Sequence, residues 1–281
     1  MVTAKQVGRE SLIYFLLLAV GVVMIFPMIW MLFASFKSNN EIFGNLNILP
    51  KKFILNSYII GWKGHGQFTF AVFLFNSFKL VLPTVLFTVL SSTVVAYGFA
   101  RFSFPLKKIL FAVMLSTLIL PNAVLIIPRY LFFKQLGWLD TYLTFTMPAL
   151  FACTPFFIYM MIQFFRGIPI DLDEAARIDG CNSFVILIRI MAPLCKPAIM
   201  SAAIFQSIWT WEDFFNSLIY ISSVRKFTVS LGLRMAMDTT ESASWNSILA
   251  MSVVSMVPCI LLFFFAQKYF VEGVNTSGLK G

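Results

Sequence analysis

One segment of this chain concentrates acidic and small residues where little else is polar. It reads Gly167-Ile168-Pro169-Ile170-Asp171-Leu172-Asp173-Glu174-Ala175-Ala176-Arg177-Ile178-Asp179-Gly180, and a second stretch then runs from Cys181 to Pro193. Asp171 is placed to cap a helix, with Glu174 completing a capping box. Leu172, Ala175, Ala176 and Asp179 fall on one helical stripe, and Gly180 supplies a left-handed stop. Ser183 can cap a second short helix with Phe184, Leu187, Ile188 and Met191 on one face, ended by Pro193 and Pro197. The paired alanines leave room for another backbone, and a helix this short needs a groove to lie in. An interfacial helix on lipid is the alternative, but the negative charges of Asp171 and Asp173 oppose an anionic membrane surface.

A second set of candidates lies inside apolar stretches. Trp209, Trp211, Glu212 and Asp213 cluster in one of them. Carboxylates beside indoles suit a sugar, since the acid accepts hydroxyl hydrogen bonds and the ring packs on the apolar sugar face. Acids in such positions also pair with a cation on a neighbouring subunit, and the sequence leaves both readings open. Asn122 follows Pro121, where a freed backbone and an amide could line a cavity, and Thr154-Pro155 and Pro258 make similar breaks. Gln163 and Asn216 could line the same path or join helices by hydrogen bonds. His65 is the lone histidine, in a Gly64-His65-Gly66 loop. Cys153, Cys181, Cys195 and Cys259 form no CxxC pair, so neither a zinc site nor a disulfide framework is expected.

The elements that must position these groups are set by lipid. Of 281 residues, 59% are hydrophobic, 17% aromatic and only 12% charged, about half the charge of a soluble domain. The net charge of +9 is scattered between apolar runs, with no basic stripe interleaved with aromatics, so nucleic acid is not an expected partner and lipid head groups are. An all-α polytopic membrane protein follows, as one transmembrane domain with spans at about 11–36, 80–100, 109–128, 141–165, 197–222 and 246–267, and a loop at 166–196. The first span is too long for a cleaved leader. Six spans put both termini on one side. The cations on that side, among them Arg101, Lys107, Lys108, Arg166 and Arg177, sit in the shorter loops, which leans toward cytoplasmic termini.

Glu174-Ala175-Ala176, then Asp179-Gly180, then Pro193-Leu194 and Pro197 resembles the EAA loop of binding-protein-dependent ABC import permeases. Ala96-Tyr97, Ala100-Arg101-Phe102, Leu120-Pro121, Gln163-Phe164-Phe165-Arg166 and Phe270-Val271-Glu272-Gly273 are similar to that family as well. Within it, the chain looks like the second permease subunit of carbohydrate importers of the maltose and oligosaccharide type. Cys181 stands where Ala is usual, Ala192 where Leu often precedes the proline, and Glu212 where Asn commonly follows Trp.

The resemblance implies that Asp173, Glu174, Ala175, Ala176, Asp179, Gly180 and Pro193 belong to a coupling element seated in a cleft of a cytosolic ATPase. It implies as partners a homologous permease subunit, an ATPase dimer and an extracytoplasmic sugar-binding protein, in a prokaryotic cytoplasmic membrane. It also implies a tail, including Gly273, Gly278 and Lys280, that reaches between the ATPase subunits; a frayed terminus is the alternative. No G-x-x-x-x-G-K-[ST] occurs, so ATP and Mg are expected on the partner ATPase and no cofactor on this chain. Transport of a sugar, with no bond chemistry of its own, is the expected function. A stand-alone ion-coupled carrier is the rival, but no inverted repeat is evident. An ABC permease for a non-sugar solute is the other. A membrane-embedded enzyme lacks a catalytic constellation.

Overall fold

The computed structural model describes residues 4–44, 47–64, 67–238 and 244–277. Helix α1 (Ala4–Ala34) leads to two short helices, α2 (Asn39–Gly44) and α3 (Asn56–Lys63), and then to the long α4 (Phe70–Arg101). Next come α5 (Lys107–Ile119), α6 (Asn122–Gln135), α7 (Leu143–Leu150) and α8 (Pro155–Gly167). The acidic loop holds α9 (Asp171–Ile178), α10 (Ser183–Ile186), a wider π turn (Leu187–Met191) and α11 (Ala192–Leu194). The chain continues through α12 (Lys196–Glu212), α13 (Phe214–Tyr220), α14 (Val229–Asp238) and α15 (Trp245–Ser277). No strand occurs among the described residues.

Four segments are long and apolar enough to cross a membrane: Leu12–Ala34, Phe70–Arg101, Leu143–Gly167 and Trp245–Gln267. Two bent pairs raise the number to six if each is one span. The expected straight span at 109–128 is such a pair, α5 and α6, meeting at 106°. Pro121 forces the break: it lacks a donor and holds Leu120 extended at φ −68°, ψ 122°. The span at 141–165 breaks between α7 and α8, where Ala152 takes φ 57° and Pro155 starts the next helix. The span at 197–222 breaks without proline or glycine. Asp213 ends α12 and caps α13, accepting the Asn216 amide N–H at 3.0 Å.

The chain forms two compact units. One contains Met1–Ala71 and Leu233–Val257, with Tyr58 and Phe53 packed on Phe36 and the Gly61 backbone close against Met251. The other, Val72–Gly232 with Pro258–Gly281, holds the candidate site residues. Its core is built from Ala96 and Tyr97 of α4, Phe157, Ile158, Met161, Ile162 and Phe165 of α8, and Ala198 and Ala202 of α12. Ala176, Ile186, Leu187 and Met191 of the acidic loop join the same cluster.

Candidate functional site

Helix α9 begins one residue earlier than the sequence suggests. Ile170 occupies the N-cap and Asp171 is the first helical residue, so the capping box between Asp171 and Glu174 does not form. The first turn instead carries three acids, Asp171, Asp173 and Glu174, whose charge suits that end of the helix dipole. Gly180 takes φ 82°, the left-handed conformation expected of it. The buried stripe differs from the expected one. Asp173 and Ala176 point inward, whereas Leu172, Ala175 and Asp179 face out with Glu174. The cause is a charge: Asp173 Oδ2 lies 2.8 Å from Arg101 Nε, both side chains about 95% enclosed at 3% and 5% exposure. Arg101 also donates to the Ile168 carbonyl at 2.8 Å.

The second short helix is likewise shifted. Asn182, not Ser183, caps it, accepting the Val185 N–H at 2.9 Å. Ile186, Leu187 and Met191 are its buried residues, while Phe184 and Ile188 are exposed, because the π turn after Ile186 rotates the inward face. Pro193 is exposed in the first turn of α11. The paired alanines therefore divide their work: Ala176 is core and Ala175 surface. With it stand Glu174, Arg177, Ile178 at 87% exposure and Phe184 at 67%, an apolar surface edged by charge.

The second candidate region is a cavity of about 370 Å³. Trp209, Thr210 and Gln206 of α12 line it together with Asp213 and Asn216 at the break, Arg129 of α6, and Thr154 before α8. Trp209 packs on Phe156 and Phe157 with ring centroids 5.2 Å away, leaving part of its indole open. Thr154 Oγ1 and Asn216 Oδ1, on two of the lining residues, are buried without a hydrogen-bond partner. Asp213 is already engaged, accepting the Asn216 side-chain amide at 2.8 and 3.0 Å besides its cap bond.

Of the other residues singled out in the sequence, Trp211 turns away and packs edge-on against Phe78 at 5.1 Å. Glu212 and Gln163 are exposed and do not line the cavity. Asn122 accepts a hydrogen bond from the lining Arg129 at 3.2 Å. Gly273 lies in α15, whereas Gly278, Lys280 and His65 fall outside the described residues. Sequence reasoning missed Arg101, Arg129 and Gln206. Arg101 carried a signal, since Tyr97 and Arg101 share one face at the polar end of a span. Arg129 carried none, because the bend that brings it to the cavity is not apparent in a window of hydropathy.

Apolar helices of membrane-crossing length, an exposed amphipathic loop helix and a polar cavity are the features of a multi-pass membrane transport subunit. The chain belongs to the family described as binding-protein-dependent transport system inner membrane component, whose model matches residues 92–276. It is 33% identical to the arabinooligosaccharides transport system permease protein AraQ of Bacillus subtilis (strain 168), over 98% of this chain and 97% of that one. It is 29% identical to the trehalose/maltose transport system permease protein MalG of Thermococcus litoralis, over 97% and 99% of the two chains. Its fold is similar to a solved bacterial ABC transporter involved in import of the acidic polysaccharide alginate, with a TM-score of 0.79 at 22% identity, covering 96% of this chain and 99% of that one.

Proposed function

We propose that this chain is the transmembrane subunit of an ATP-driven importer of a sugar, an oligosaccharide by preference, in the cytoplasmic membrane of a prokaryote. Both termini and the 166–196 loop face the cytoplasm. The chain pairs with a homologous permease, receives sugar from an extracytoplasmic binding protein, and rests on two copies of an ATPase that bind ATP and Mg. Closure of the ATPases moves α9, and the permease pair alternates between inward-open and outward-open states.

The observation that carries this reading is the outward face of α9 and α10. Glu174, Ala175, Ile178, Asp179 and Phe184 stand exposed in a helix too polar for lipid, at the motif the resemblance assigns to ATPase docking. Gly180 and Pro193 set the turn and the end of this element, and Asp173 and Ala176 hold it from within. Gly273, Gly278 and Lys280 are assigned to the tail that approaches the ATPases.

The cavity around Trp209 is the proposed sugar path. An open indole face, two unpartnered polar atoms, and Gln206 and Thr210 suit a neutral polyol. Asp213 shapes the site and Arg129 lines it, held by Asn122, while Trp211, Glu212 and Gln163 lie outside the cavity. The relatives that transport arabinooligosaccharides and trehalose or maltose support a carbohydrate cargo.

Extraction of the tagged chain in mild detergent, followed by mass spectrometry and reconstitution into proteoliposomes, tests the reading. An ATPase and a second permease should co-purify in stable ratio, and labelled oligosaccharide should enter only with ATP and binding protein. A chain that purifies alone and transports on an ion gradient would identify a carrier instead. ATP-dependent uptake restricted to a non-sugar solute would keep the assembly and overturn the cargo.

A further inference from the structure

The coupling loop is tied to the bundle by more than its two connections. Arg101 is the last residue of α4, and its guanidinium is almost wholly enclosed between the α8–α9 linker and α9 itself. It bonds the Ile168 carbonyl in the linker at 2.8 Å and lies 2.8 Å from the Asp173 carboxylate in α9. Tyr97, one helical turn earlier on the same face, donates its hydroxyl to the other carboxylate oxygen of Asp173 at 3.4 Å. The Tyr97 ring is itself fixed edge-on against Phe102 at 5.5 Å and Phe165 at 5.9 Å. Ala176, one turn beyond Asp173, closes the contact by packing into the same core.

A buried ion pair is a poor way to gain stability, because desolvating two charges offsets most of their attraction. Apolar side chains of similar volume would hold a helix on a bundle as well. What the pair adds is direction. A guanidinium that bonds a linker carbonyl and stands at ion-pair distance from an enclosed carboxylate constrains both the position and the rotation of α9 on α4. Two other ion pairs among the described residues, Asp140–Lys226 and Arg234–Asp238, are far more exposed.

We propose that Arg101, assisted by Tyr97, is the positioning residue that makes α9 and α4 move as one rigid body. Displacement of α9 by the ATPases then reaches α4 directly, not only through the Gly167–Ile170 linker to α8. This inference rests on the coupling role proposed for α9. The contact has two buried halves, so loss of one leaves an unpaired charge, and loss of both removes the direction while keeping the packing.

The test uses the assembled transporter in proteoliposomes and reads sugar imported per ATP hydrolysed. Arg101→Met/Asp173→Leu keeps the volume and loses the clamp. Its import per ATP should fall by at least about five-fold, the low end of the usual range of a coupling free energy, while the complex still co-purifies. Arg101→Lys, which keeps the charge but not the fork, should lie between that variant and the native chain. The exchanged pair Arg101→Asp/Asp173→Arg should recover part of the loss that Arg101→Asp alone produces. A native import-to-ATP ratio in an assembled Arg101→Met/Asp173→Leu complex overturns the clamp. Cross-linking of Ile178→Cys to the ATPase separates the two proposals: a native ratio with cross-linking intact refutes the clamp alone, and absence of cross-linking in the otherwise native chain refutes the docking role.

Discussion

Ala175 and Ala176 are adjacent in sequence and identical in chemistry, yet the structure gives them opposite surroundings. Ala176 is 5% exposed against Tyr97, Phe165, Ile186 and Leu187, whereas Ala175 faces outward. Leucine at 176 adds three carbons to a filled site, which costs about 1–3 kcal/mol through displaced neighbours. Leucine at 175 meets open space and should stay within about 0.5 kcal/mol of the native chain. By the scaling of soluble domains these figures correspond to a melting shift of roughly 2–12 °C for Ala176→Leu and under about 2 °C for Ala175→Leu. A thiol-reactive dye can follow unfolding of the purified chain, because Cys195 is 1% exposed; exposed Cys153 is first changed to Ser. Retention of the ATPase through purification supplies the second reading. Ala175→Leu should melt normally and lose ATPase, and Ala176→Leu should melt early. Equal melting of the two variants, or early melting of Ala175→Leu alone, refutes the assigned orientation of α9.

Other outcomes follow from the same geometry. Gly180→Ala places a side chain at φ 82° with no atom within 4 Å of its Cβ, so the cost is backbone strain of about 1 kcal/mol, and a thermal melt should show that modest loss without a packing defect. Glu174→Lys reverses charge on the exposed face and should abolish ATP-driven uptake while membrane insertion, read by fractionation, stays native. Asp213→Asn should loosen the α12–α13 break and weaken sugar uptake, whereas Glu212→Gln, outside the cavity, should leave sugar affinity in a transport assay native. Asp140, in the loop between α6 and α7, is opposed by burial, but hydrogen bonds from Lys226, the Ser223 hydroxyl and the Ser223 and Ser222 amides outweigh it and hold the carboxyl well below its ordinary range. A depressed value means the contact stabilises fully above the unfolded carboxyl's titration and is lost as pH falls toward the folded one. Asp140→Asn should therefore lower the melting temperature at pH 7, and the gap from the native chain should close below about pH 4.

The helical class was legible because lipid imposes a coarse rule: long apolar runs cannot be anything but helix in a membrane. The acidic loop was legible because capping, glycine and small-residue signals are local. Positions that depend on distant partners were not. Asp173 reads as a solvent-facing acid until Arg101, far off in sequence, is seen to enclose it. Asp213 reads as a free carboxylate beside indoles, but three residues on Asn216 ties it into a cap that no proline announces. Trp209 and Trp211 are two residues apart and point to different neighbours, Phe157 and Phe78. Pro121 announced its break, although not that the bend would bring Arg129 to the cavity.

Site-directed cross-linking from α9 to the ATPase tests the central claim most directly. Ile178→Cys, with Cys153 and Cys181 changed to Ser, would be introduced in native membranes and treated with a short bifunctional thiol reagent. The expected product is a covalent adduct whose second component is identified by mass spectrometry as an ATPase subunit, with a yield that changes on adding ATP. Native uptake with Ile178→Cys open to the reagent but never joined to an ATPase would contradict that claim.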